Sequence, residues 1–199
     1  MTQVAAVLLA AGEGSRIDGH TPKPLLELGG RPLVDWAVDA IMTTELRPVV
    51  MVVGHHGPEV AAHAPAGAQV VHAKRWKHGI AKSLGAALQA LEPFVQVSAT
   101  CIGLADQPLV GPDAYRRLAS AHADGAELAV ATYDGNRRNP VLVGRTMWDA
   151  ARKLEGDEGA RQLMHEHEVV EVDCTDTGDP TDVDTLDDLR ELEKRVPGR

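Results

Sequence analysis

Residues 7–25 read VLLAAGEGSRIDGHTPKPL. An apolar run ends in two alanines and a glycine. A small polar loop follows, then Arg16, then Lys23 held between Pro22 and Pro24. Residues 4–9 are short, apolar and closed by Gly12, which predicts a buried strand. Small residues after such a strand let the backbone approach a ligand, and the exposed N–H groups of a turn make an anion-binding nest. Arg16 and Lys23 add positive charge to that nest. The plainer alternative is a polar turn with two solvated cations. A dinucleotide fingerprint is excluded. Gly12 and Gly14 fit G-x-G-x-x-G, but Ile17 takes the third position, and GHTPKP follows where a helix is required. The lysine spacing of a P-loop is absent as well.

Outward from this stretch, strand and helix patterns alternate. Strands are predicted at 48–53, 69–72, 98–104, 127–132, 140–143 and 169–173. Helices are predicted at 32–41, around 59–63, and at 79–91, 112–122, 145–154, 158–165 and 184–195. The alternation predicts an α/β fold: a single-domain, Rossmann-like, mostly parallel sheet with helices on both faces. Ligands of such sheets sit beyond the carboxyl ends of the strands. Chemistry is therefore expected in residues 11–23, 54–57, 74–83, 106–108 and 182–184.

A chain of 199 residues with 44% hydrophobic and 25% charged residues fits one domain, 1–199, with one sizeable core. Aromatics are 3%, so Val, Leu and Ala must build that core. A formal charge of −9 argues against nucleic acid as partner, while a local cationic cluster still permits a small anion. Two cysteines, Cys101 and Cys174, form no disulfide framework and suit a reducing cytoplasm. The first residues, MTQVAAVLLAAG, lack a basic leader and are too short to span a membrane, so they are expected to be a strand.

Six segments then point to one family. LAAGEGSR…PKPL resembles a nucleotide-binding signature. Trp76-Lys77-His78-Gly79 with Ser83 resembles W-x-x-G-x-x-x-S. Asp106-Gln107-Pro108 resembles D-Q-P, and Asn139-Pro140-Val141 resembles G-x-P-V. Gly156–Arg161 resembles G-D-x-G-A-R, and Asp182-Val183-Asp184-Thr185 resembles a D-I-D-T closing motif. On these motifs the chain resembles the MobA-like nucleotidyltransferases, and among them the molybdenum cofactor cytidylyltransferases. The resemblance implies a nucleotide-diphospho-sugar transferase-like fold. It implies transfer of NMP from an NTP to a phosphorylated small-molecule acceptor, with release of pyrophosphate. LAAG in place of LAGG favours CTP, and the molybdopterin cofactor is among the implied acceptors. A molybdoenzyme would then be a transient partner.

Such chemistry asks a protein for positioning and charge neutralisation. By resemblance, Arg16, Lys23 and Asp106 are the catalytic set. Leu9, Ala10, Ala11, Gly12, Gly14, Ser15, Arg16, Lys23 and Ser83 would bind the nucleotide. Mg²⁺ would sit on Asp106 and Asp184, with Asp182 as the alternative second ligand. Asp106 and Asp184 could instead be helix caps. Gln107, Pro140 and Asp157 are implied on the acceptor side. Asp157 and Arg161, four apart, are most simply an ion pair at a helix start. Arg137-Arg138 would meet an anionic acceptor or be a solvated turn. His55-His56 and His165-x-His167 are expected on the surface or the cleft wall. Transfer of GMP, or transfer to a sugar or alditol phosphate, stays open. So do a non-catalytic nucleotide- or cofactor-binding chaperone and a redox activity.

Overall fold

The computed structural model describes residues 3–12 and 21–196. In chain order the elements are β1 (Gln3–Ala10), β2 (Glu27–Leu28), β3 (Arg31–Pro32), α1 (Leu33–Thr43), β4 (Val49–Val53), α2 (Gly57–Ala61) and β5 (Gln69–His72). There follow α3 (Ile80–Leu91), β6 (Val97–Leu104), α4 (Pro112–Ala123), β7 (Leu128–Tyr133), β8 (Asn136–Gly144), α5 (Trp148–Ala151), β9 (Val170–Asp173) and α6 (Leu186–Glu193).

Seven strands form one sheet in the order β5-β4-β1-β6-β8-β7-β9. All its pairings are parallel except those of β8, which runs antiparallel to both β6 and β7. The α/β fold expected from the alternation is therefore present, with helices on both faces. The apolar runs explain the centre of the sheet. All five residues of β4 are buried, as a strand covered on both faces requires. Along β1, Ala6 and Leu8 point to one face and join Val34, Ile41 and Leu118 of α1 and α4. Ala5, Val7 and Leu9 point to the other and join Leu84, Leu88 and Leu91 of α3. A third, small cluster of Leu26, Leu28, Leu33, Val183 and Leu192 ties the β2–β3 hairpin to α1 and α6.

After β1 the chain fills β4 and β5 on one side, then returns to lay β6 on the other. The order reverses between β1 and β6, which is where doubly wound sheets open a binding crevice. Leu9 and Leu104 pair in register there, and Ala105 N–H donates to the Leu9 carbonyl at 3.0 Å.

One hairpin is new and two local expectations change. The β2–β3 hairpin carried no periodic signal. Its turn is Gly29-Gly30 at φ +60° and +75°, the left-handed pair that tight hairpins need. The helix expected at 145–154 is a 3-10 turn at Arg145–Met147 followed by the four-residue α5. The one expected at 158–165 is a 3-10 segment, Gly159–His165, because Gly159 starts it at φ +55° with Ile80 packed where a Cβ would stand. Among the described residues no helix is long and apolar enough to cross a membrane.

Candidate active site

Lys23 leaves the loop after β1 in a 3-10 turn, Lys23–Leu25, set by Pro22 and Pro24. Its side chain is 11% exposed and reaches across the crevice. The Nζ donates to Asp106 Oδ2 at 2.5 Å and to Asp184 Oδ1 at 2.6 Å. Burial disfavours the ammonium, but Asp106 and Asp184 outweigh it and hold the Lys23 pKa above its ordinary value.

Both aspartates are held from behind. Asp106 follows β6 directly, and its carbonyl accepts from Val183 N–H at 2.9 Å. Val183 is fully buried in the small third cluster and sits between Asp182 and Asp184. The cap alternatives do not describe these two residues. Thr185 caps α6 in a reciprocal box with Asp188, and Gly111 precedes α4. Asp184 and Asp106 are thereby left to the crevice. Asp182 is desolvated and lies near Asp106 and Asp184, which raises its pKa.

A divalent cation fits this donor set. The pair of carboxylates already holds a positive charge, and the buried Oδ1 of Asp106 has no partner. Among the described residues no group of three or more His, Cys, Asp or Glu forms a closed metal cage. Two carboxylates, with remaining positions left to water and phosphate oxygens, is what Mg²⁺ or Mn²⁺ bound with a nucleotide asks for.

Three clefts meet here. The first, of about 480 Å³, is lined by Leu9, Ala10, Ala11, Gly12, Lys23 and Ser83 among others, with Trp76 and Asp106. The second, of about 210 Å³, shares Leu9, Asp106 and Asp157 with it and adds Asn139, Arg161, Asp182 and Asp184. The third, of about 760 Å³, shares Arg161, Asp182 and Asp184 with the second. The Gly156–Asp157 bend borders both of the first two through Asp157. It packs on Gly79, whose φ of +97° and close approach to the Gly156 carbonyl leave no room for a side chain.

Of the expected residues, Leu9, Ala10, Ala11, Gly12, Lys23, Ser83, Asp106, Asp157 and Asp184 stand round the joined clefts. Gly14, Ser15 and Arg16 lie outside the described residues. Gln107 and Pro140 line none of the three clefts. Gln107 is 1% exposed, and its Nε2 donates to the Pro180 carbonyl at 3.1 Å. It braces the segment that carries Asp182 and Asp184. Pro140 follows a cis peptide, while its neighbours Asn139 and Val141 line the second cleft. The expected Asp157–Arg161 ion pair is absent among the described residues, because no α-helix forms there to bring positions four apart together. His55 packs on Trp76 at 5.2 Å between ring centroids, and His56 pairs with Glu59. Both cysteines are free and buried. Burial pushes the Cys101 thiol up, and pushes Cys174 up to about 11.

A cation-holding pair of aspartates at the switch point of a doubly wound sheet, open to a nucleotide-sized cleft, is the arrangement of a nucleotidyltransferase. The family model for the MobA-like NTP transferase domain matches residues 6–172, and the chain belongs to that family. Nicotine blue oxidoreductase of Paenarthrobacter nicotinovorans is 30% identical, over 95% of this chain and 96% of its own. The bifunctional protein GlmU of Sorangium cellulosum is 31% identical over 78% of this chain, which spans only 34% of that protein. Among solved structures, the manganese complex of Rv0371c from Mycobacterium tuberculosis H37Rv superposes with a TM-score of 0.82 at 30% identity. That match covers 98% of this chain and all of the other.

Proposed function

We propose that residues 1–199 work as one transferase domain that moves NMP, with CMP favoured, from an NTP to a phosphorylated small-molecule acceptor. The clamp of Lys23 between Asp106 and Asp184 carries this proposal. The triphosphate would lie in the first cleft, against the backbone of residues 10–12 and beside Lys23, with Arg16 as its second cation. The acceptor would enter by the second cleft. An acceptor phosphate oxygen attacks the α-phosphorus, the α–β phosphoanhydride bond breaks, and pyrophosphate leaves with the electron pair. Lys23 is a fixed point charge for the oxygens on which charge accumulates. Asp106 and Asp184 would hold a divalent cation, proposed as Mg²⁺. When bound, that cation supplies charge neutralisation on the phosphates. The manganese complex of Rv0371c supports the use of a divalent metal.

CTP as donor and the molybdopterin cofactor as acceptor rest on the sequence motifs. A molybdoenzyme would then receive the product, in a cytoplasm reducing enough for Cys101 and Cys174 to stay thiols. The near full-length likeness to nicotine blue oxidoreductase favours one other reading, a redox reaction in the same cleft. The buried Cys101 and Cys174 are poorly placed to serve it as thiolates.

Pyrophosphate release, measured for each NTP with Mg²⁺ against molybdopterin species and sugar phosphates, separates the two. Acceptor-dependent release that is greatest with CTP is expected. Asp106→Asn should lose at least about a hundredfold, the scale of removing one electrostatic stabiliser of a transition state. No release with any pair, alongside turnover of a nicotinamide or flavin cofactor, would replace the transferase reading with the redox one.

A further inference from the structure

We propose that Arg138 and Arg161 form a two-guanidinium seat for the anionic group of the acceptor, on the side of Asp182 and Asp184 away from the donor cleft. This rests on the transferase reading above. Arg137 and Arg138 are adjacent on β8, so their side chains leave opposite faces of the strand. The two have different fates. Arg137 pairs with Glu171 at 2.7 Å across the sheet edge. Arg138 lines the third cleft, and among the described residues its guanidinium meets only the Arg137 carbonyl, at 3.1 Å. Arg161 lines the second and the third cleft alike, and its guanidinium has no partner among the described residues.

Two unpaired guanidinium groups beside one cleft are unexpected in a chain with 29 acidic residues against 20 basic ones. Aspartates do ring the cleft, but most are already engaged. Asp184 holds Lys23, Asp179 binds Arg195 and Thr181, and Asp188 closes the cap of α6. Asp134 and Asp182 remain. The cationic groups of this lining that hold no carboxylate among the described residues are therefore Arg138 and Arg161.

The chemistry of the reaction has a use for such groups. An attacking phosphate is an anion that must approach a triphosphate. Guanidinium forks match phosphate oxygens and offset the repulsion between the two anions. Arg161 is placed for this, since it borders the cleft that contains Asp106 and also the larger one that contains Arg138. The third cleft leaves room for a bulky polar acceptor body beyond its phosphate. Arg137 takes no part.

The test reads the arginine Nε–Hε signals of the ¹⁵N-labelled full chain. CTP and Mg²⁺ are present to keep the probe out of the donor cleft, and inorganic phosphate is the probe. Saturable shifts at both Arg138 and Arg161 are expected, with Arg137 unmoved. Arg138→Gln and Arg161→Gln should each weaken phosphate about tenfold or more, the scale of one hydrogen bond to a charged group. Arg137→Gln should bind as the unaltered chain does, and circular dichroism checks that each variant is folded. A response at one arginine or neither, a response at Arg137 in their place, or unchanged phosphate binding in both variants overturns the proposal. The readout needs no turnover. Failure of pyrophosphate release would count against the transferase and leave the anion seat to stand or fall by these shifts.

Discussion

Lys23 joins the sequence to the site more directly than any other residue. Two prolines fix its backbone, and two carboxylates fix its ammonium. A cation between two acids, largely out of water, stabilises them only while both partners are present. Lys23→Met removes the charge and keeps the bulk. It should lower stability by about 1–3 kcal/mol in metal-free buffer, the cost of leaving polar groups without a partner. Mn²⁺ should recover most of that loss, because a divalent cation can take the same carboxylates. Thermal unfolding with and without Mn²⁺ checks this. A variant that melts as the unaltered chain does, or one that Mn²⁺ leaves destabilised, would show that Lys23 and the metal do not share those oxygens. The lysine was legible in the sequence by its position after β1. Its two partners were legible only as separate strand ends, because a contact between residues 23 and 184 has no signature along the chain.

At the level of elements, two arrangements set the site, and they differ in how well sequence foretells them. The apolar strands β1, β4 and β6 were legible, since continuous apolar runs bounded by glycine and proline have few other uses. The segment before α6 was legible as a motif and not as a shape. Val183 anchors it by burying an apolar side chain between two aspartates and bonding to the Asp106 carbonyl. Val183→Ala opens a small cavity in the third cluster and should cost about 1–3 kcal/mol. If the anchor positions Asp184, Mn²⁺ affinity should fall as well. Urea unfolding and Mn²⁺ titration measure the two effects. Lost stability with unchanged Mn²⁺ affinity would make Val183 a packing residue and nothing more. Other features of this scale escaped the sequence for physical reasons. A two-residue strand such as β2 is too short for any period to show. The 158–165 segment has helical spacing, yet positive φ at Gly156 and Gly159 interrupts it. Alternation along β8 parts Arg137 from Arg138, which sequence alone presents as a pair.

Across the molecule, the doubly wound sheet converts distant strand ends into one trench. The first cleft, the paired aspartates and the second and third clefts follow one another along the carboxyl edge. Net charge is −9, and the trench sets Lys23, Arg138 and Arg161 among the aspartates that line it. The motifs indicated the family, and the fold explains why residues from separated segments can act together. Gln107 shows the limit of such motifs: it lies within one, but the fold uses it as a buried brace. The central claim is that this trench transfers a nucleotidyl group. The most direct measurement follows CTP labelled at the α-phosphate, with Mg²⁺ and a molybdopterin acceptor. The label should move to the acceptor in step with unlabelled pyrophosphate, and Asp106→Asn should stop both. Label that stays with the nucleotide, or transfer undiminished in Asp106→Asn, would contradict the account.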